Sequence, residues 1–303
     1  MAVTAALVKE LRRITGAGMM DCKNVLLESD GDMDRAAEAL REKGLVKAAK
    51  KAGRVASEGL VRVAFSSDHR KGAIIEVNSE TDFVAKNEEF IRFVETLSSM
   101  ALETSWTDLD SFLAADFKNE GALKDAINAL IAKIGENLNV RRLWKSEKDV
   151  VHVGYLHGGG KIGVIVGLET EASYEDVFSV GKDIAMQVAS MNPGFIDESQ
   201  IDPEYIKSEK KILVQQALNE GKPADLVEKV VAGRLKKELR EVCLLEQKFV
   251  KSNEITVKQY IEQAAKDLGK SIKVVEMIRY EVGEGIEKRS ENFAEEVAKL
   301  IGN

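Results

Sequence analysis

One pattern occurs twice along this chain, and it limits the folds open to it. Leu60-Val61-Arg62-Val63-Ala64-Phe65, a polar turn and Ala73-Ile74-Ile75-Glu76-Val77 read as a β-hairpin, followed by a helix over 88–102. Val150-Val151-His152-Val153-Gly154-Tyr155, a glycine-rich turn and Gly163-Val164-Ile165-Val166-Gly167-Leu168 read as a second hairpin, followed by a helix over 174–190. The ends of the two halves also correspond. Ala132 to Arg141 (AKIGENLNVR) aligns with Lys266 to Val275 (KDLGKSIKVV), and in each a helix stops at a glycine before a strand begins. The expectation is an α+β fold with antiparallel sheets, its core two copies of one unit of hairpin, helix, helix and final strand.

Three further segments flank or interrupt that core. Residues 1–54 read as three short helices. Thr4 is an N-cap, with Leu7, Val8, Leu11 and Ile14 at helical spacing behind it. Gly16-Ala17-Gly18 breaks that helix, Met19, Cys22, Val25, Leu26 and Leu27 mark a second, and Met33, Ala36, Ala37 and Leu40 carry a third to Gly44. The pattern is similar to ubiquitin-associated bundles. Lys47 to Arg54 reads as a linker or a helical extension. Residues 192–250 interrupt the second copy with two helices around Glu220-Gly221-Lys222-Pro223, an antiparallel hairpin with little core of its own. A last helix is expected over Asn292 to Ile301. The domain expectation is therefore 1–54, 55–149, 150–191 with 251–282, the inserted 192–250, and 283–303.

With 303 residues, 44% hydrophobic and 31% charged, the chain is an ordinary soluble multidomain protein. Only 3 prolines favour long uninterrupted elements. A net charge of −7 weighs against a nucleic-acid-binding chain. Cys22 and Cys243 lie far apart without ligand-like neighbours, which suits a reducing compartment and no metal. The first residues lack the basic start of a signal peptide, and no apolar run reaches the roughly 20 residues of a membrane span. A cytoplasmic location without membrane contact is expected.

No catalytic constellation stands out. His69, His152 and His157 form no metal-like pair, and no Gly-x-Ser-x-Gly elbow occurs. Gly158-Gly159-Gly160-Lys161 fails the phosphate-loop spacing and is a hairpin turn instead. The expectation is a protein without covalent chemistry, cofactor or metal.

One loop draws the eye for another reason. Asn78-Ser79-Glu80-Thr81-Asp82-Phe83-Val84-Ala85-Lys86-Asn87 joins a strand to a helix and sets a phenylalanine beside an acid. Phe83 could fold back to staple the next helix. It could instead protrude as an apolar anchor for a protein partner.

Several words in order decide between them. Leu7-Val8-Lys9-Glu10-Leu11-Arg12 and Thr15-Gly16-Ala17-Gly18-Met19-Met20-Asp21-Cys22-Lys23 open the chain. Lys47 to Arg54 (KAAKKAGR), Lys133-Ile134-Gly135-Glu136-Asn137 and Arg279 to Lys288 (RYEVGEGIEK) follow. Together with the Thr81-Asp82-Phe83-Val84 word they span essentially the whole chain, which resembles the elongation factor Ts family, guanine-nucleotide exchange factors of elongation factor Tu. The resemblance implies that the Thr81, Asp82, Phe83 and Val84 word displaces the partner's Mg²⁺, Asp82 either anchoring the wedge or acting on the metal site's charge. It implies partner contacts at Arg12, Met19 and Met20, at Ile134 and Gly135, and at His157. It also implies dimerisation through a hairpin such as 192–250 in some members. Read without the resemblance, Met19 or Met20 is bundle core, Ile134-Gly135 a helix C-terminus and His157 a turn residue. Two rivals use other features: an adaptor or assembly protein built on the bundle and the hairpin, and an RNA binder built on the basic 41–54 segment.

Overall fold

The structure, a computed structural model, describes residues 3–287, and only the backbone of Ala224 and Asp225. The helix expected over 292–301 lies outside the described residues. The chain forms two compact units, one of residues 3–61, 75–143 and 281–287, the other of 62–74 and 144–280.

The first unit opens with three helices, α1 (Ala5–Thr15), α2 (Met19–Glu28) and α3 (Met33–Ala49). The Thr4 hydroxyl accepts the Leu7 N–H at 3.3 Å and starts α1, and left-handed Gly16 ends it. Asp32 caps α3 by accepting the Arg35 N–H at 3.0 Å. Val8, Leu11, Cys22, Val25, Leu26 and Ala36 make the bundle's core. Ile14, Met19 and Leu27, expected among the apolar marks, are exposed instead. Helices this short close over one narrow stripe each, and these three side chains fall beside it. α3 also runs past Gly44 to Ala49, because a single glycine costs a helix only about 1 kcal/mol.

The chain continues through β1 (Glu58–Phe65), β2 (Gly72–Ser79), α4 (Asp82–Ala85), α5 (Glu88–Glu103), α6 (Leu109–Ala114), α7 (Leu123–Ile134) and β3 (Leu138–Lys145), of which residues 62–65, 72–74 and 144–145 count with the second unit. The strand order is β1-β2-β3, and every residue of β2 is buried. α3 packs along α7, with Gly44 facing Ala132. One acid is enclosed here. The side chain of Glu76 is wholly buried and meets Arg141 at 3.1 Å, Arg142 at 2.6 Å and the Asn78 amide at 3.0 Å.

The second unit holds β4 (Val151–His157), β5 (Ile162–Glu169), α8 (Tyr174–Met191), α9 (Pro203–Asn219), α10 (Ala224–Val242), β6 (Lys248–Phe249), β7 (Ser252–Thr256), α11 (Val257–Leu268) and β8 (Lys273–Glu281). β4 and β5 pair antiparallel from Val151 opposite Leu168 to His157 opposite Ile162. The sheet order β4-β5-β8 repeats that of β1-β2-β3, so the duplication seen in the sequence is a duplication of topology. Val153, Val164, Val166 and Leu168 of the sheet bury against Ile184 and Val188 of α8 and Val257 and Ile261 of α11. The expected hairpin turn occupies Gly158 to Lys161, with positive φ at all three glycines.

α9 and α10 form the inserted arm. Leu213, Ala217, Val227 and Val231 give it a small core, while Ile212, Leu218 and Leu226 stay exposed. At its base, Gly194 and Phe195 donate N–H groups to the Val242 carbonyl, and Leu244 donates to that of Phe195.

Candidate partner-binding site

The strand-to-helix junction after β2 contains a single helical turn between two side-chain caps. Thr81, in extended backbone, caps α4 by accepting the Val84 N–H at 3.4 Å. Asn87 caps α5 by accepting the N–H groups of Glu89 and Phe90 at 2.9 and 3.2 Å. Val84 and Ala85 point inward and are buried. A helical turn that buries its third and fourth residues must turn its first two outward. Phe83 is consequently 80% exposed, and it does not staple α5. Leaving a phenylalanine in water forgoes roughly 2–3 kcal/mol of burial.

Asp82 is partly exposed beside it and pairs with Lys86 one turn on, at 2.6 Å. Of the four-residue word, therefore, Asp82 and Phe83 face solvent, Val84 anchors, and Thr81 is consumed internally. The Thr81 N–H and hydroxyl both donate to the Glu136 carboxylate, at 3.0 and 2.7 Å, and its carbonyl accepts the Ser79 hydroxyl at 3.0 Å.

The turn that receives Thr81 carries two more of the expected residues. Ile134 ends α7 half-buried, and Gly135 closes the helix at φ +89, with open space where a side chain would stand. The same turn reaches back. The Asn137 N–H donates to Glu80 at 2.6 Å, and its amide donates to the Arg54 carbonyl at 2.8 Å. Lys51 donates its ammonium to the Gly135 carbonyl. The α4 turn, the α7 terminus and the segment leaving the bundle are thus tied at one place. Sequence reasoning found Phe83 but not Glu136 or Asn137 as its braces. Their contacts join segments some 55 residues apart, and no local pattern announces them.

In the bundle, Arg12 is exposed, and Met19 and Met20 are 42% and 62% exposed. Both methionines face outward, so neither is bundle core. Such side chains suit an adaptable apolar contact. His157, in the other unit, is the exposed last residue of β4, its Nδ1 3.1 Å from the Tyr155 hydroxyl. Four cations of the basic run are paired with acids: Arg41 with Asp125 at 2.7 Å, Lys43 with Glu28 at 2.7 Å, Lys47 with Asp21 at 2.8 Å and Arg54 with Glu80 at 3.4 Å.

One cluster outside this site has a catalytic cast. His152 Nε2 lies 3.0 Å from Glu276, which also accepts the Ser146 hydroxyl. The glutamate stands between the other two, so His152 is not placed to take a proton from Ser146, and both side chains are buried. Among the described residues, no group of three His, Cys, Asp or Glu could hold a metal ion, and no helix is long and apolar enough to cross a membrane.

Known proteins give the arrangement a context. The family model described as elongation factor TS matches residues 80–284. A protein of Clostridioides difficile named elongation factor Ts is 57% identical over 299 residues, covering 99% of each chain. Proteins of the same name from Clostridium botulinum and Clostridium perfringens are 50% and 48% identical over 301 and 302 residues, again covering 99% of each chain. A match this long, at this identity, leaves one reading of the chain's ancestry: it belongs to the elongation factor Ts family of translation elongation factors.

Proposed function

We propose that this chain drives GDP release from elongation factor Tu by pressing Phe83 into the GTPase beside its Mg²⁺ and phosphate site. The observation that carries the reading is a phenylalanine 80% exposed on a turn fixed at both ends, in a family of translation elongation factors. An exposed aromatic beside a charge is the composition of an interface hot spot. The exchange factor makes and breaks no covalent bond. It binds the GTPase better when nucleotide and Mg²⁺ are absent, and by linkage nucleotide must then bind the complex worse by the same factor. The metal bridges GTPase and phosphate, so shifting its supports weakens GDP most.

In this reading Val84 and Thr81 seat the wedge, while Asp82 and Phe83 meet the partner. Arg12, Met19 and Met20 of the bundle grip the same partner with Ile134 and Gly135, and His157 contributes from the second unit. Self-association through the exposed leucines of the arm is a separate proposal, which light scattering of the full chain checks. The central test is stopped-flow release of fluorescent GDP from elongation factor Tu. Phe83→Ala should melt like the parent and lose about 2 kcal/mol or more of interface energy, seen as slower release. Unchanged release from a folded variant would refute the wedge.

A further inference from the structure

We propose that Glu136 is a positioning residue for exchange, holding the Thr81 end of α4 so that Phe83 stays projected; this rests on the wedge reading above. Phe83 cannot place itself, because at 80% exposure it has almost no packing of its own. Its position comes from the backbone of α4. A four-residue helix has no stability of its own, since nucleation of the first turn is unfavourable. The turn must be held from outside.

The holding contacts converge on Thr81. Glu136 takes both of its donors in one carboxylate, at 3.0 and 2.7 Å, which leaves the hydroxyl oxygen turned toward the Val84 N–H that it caps. The brace is reciprocal. Glu80, one residue before Thr81, accepts the N–H of Asn137, one residue after Glu136. Each segment thus presents an acid to the other's backbone. The receiving turn is itself fixed, by Lys51 on the Gly135 carbonyl and by the Asn137 amide on that of Arg54. Charge-assisted hydrogen bonds of this kind are roughly twice as strong as neutral ones, and here they act on the residue next to the two exposed ones.

Removing the Glu136 carboxylate strips Thr81 of both acceptors and lets α4 sample other positions. The fraction of molecules that present Phe83 falls, and the response that depends on the competent state falls with it. The bundle's exposed side chains are untouched, so association with the partner suffers less than the step the wedge performs.

The experiment measures release of fluorescent GDP from elongation factor Tu across a range of full-length exchange factor concentrations. Glu136→Ala should lower the maximal release rate about tenfold and raise the half-saturating concentration less than about threefold. Glu136→Gln, which keeps one acceptor oxygen, should fall between the two. Phe83→Ala combined with Glu136→Ala should be no slower than Phe83→Ala alone, because the second change acts through the first. An unchanged ceiling for Glu136→Ala, or a double variant slower by the product of the single effects, overturns the proposal. Should Glu136→Ala melt early, Thr81→Val keeps the side-chain shape and the N–H bond to Glu136 and loses both hydroxyl bonds, the one to Glu136 and the cap on Val84; a lowered ceiling is expected, and an unaltered one overturns the proposal. Unchanged release by Phe83→Ala refutes the wedge and this inference with it, whereas slow release by Phe83→Ala beside normal release by Glu136→Ala refutes this inference alone.

Discussion

Glu76 accepts the backbone N–H of Gly283 at 2.8 Å, joining positions 207 residues apart inside the first unit. Burial alone would raise the carboxyl's pKa. The N–H of Gly283, the Asn78 amide and the Arg142 guanidinium outweigh it and hold the group below its ordinary value. Gly283 can come this close only as glycine: its φ is +72, and a Cβ would stand 2.2 Å from the Ser57 carbonyl oxygen. A carboxyl depressed in the folded state contributes stability above its unfolded pKa, and that contribution fades as pH falls through the folded value. Glu76→Gln should therefore cost about 2–3 kcal/mol at pH 7, by denaturant melting, and the cost should shrink on acidification below about pH 4. A loss that stays constant with pH would contradict the assignment.

Asp82 pairs with Lys86 on an exposed turn, and such pairs contribute little to stability. Asp82→Asn should shift melting by less than about 0.5 kcal/mol. In stopped-flow it should slow GDP release by less than Phe83→Ala does, because the aromatic supplies the buried contact area. The reverse order of effects would make the charge, rather than the ring, the principal agent.

The arm should open as a local unit. Val231 is fully buried in its small core, and Arg234 and Glu220 meet at 2.6 Å near its tip. Val231→Asp places a charge there with no partner. Hydrogen exchange by mass spectrometry should show protection lost over 203–242 and kept over 151–191. Loss of protection in both would show that the arm is part of the second unit's cooperative core.

Cys243 should be inert in the folded protein. It is buried, and burial followed by the nearby Glu198 and Asp197 pushes its thiol up to about 11. The thiolate is the nucleophile, so at pH 7.5 alkylating reagents should label it only as the chain unfolds. Mass spectrometry along a denaturant series checks this: labelling at Cys243 should follow the global melting curve, and fast labelling of the native protein would contradict it.

The α+β class and its duplicated strand order were legible because periodicity survives as local text. Alternation over 60–65 and 73–77 reappears over 150–155 and 163–168, and a glycine marks the same helix end in each half. Phe83 stood out as a candidate for a similar reason, since an apolar ring next to an acid in a loop is visible within ten residues, but its exposure was not legible there, because the same text also allowed it to fold back on the next helix. What stayed hidden depends on tertiary contact. Whether Ile14, Met19 and Leu27 lie inside or outside the bundle turns on how narrow a stripe the neighbouring short helices cover, which their spacing alone does not give. Four cations of the basic 41–54 segment pair with acids as distant in sequence as Asp125, which no local pattern shows. The Glu136 brace joins two words that each read plausibly alone.

The base of the arm has a practical side. Phe195 and Cys243 face each other in a parallel bridge, so the chain enters and leaves the arm through one stitch. A segment whose two ends are already fastened together adds little loop-closure cost when its contents change. That makes the stretch between them a natural docking port for protein engineering. A fluorescent reporter or an affinity module with closely spaced termini could be spliced in place of the two helices, and the host would read it as one more insertion.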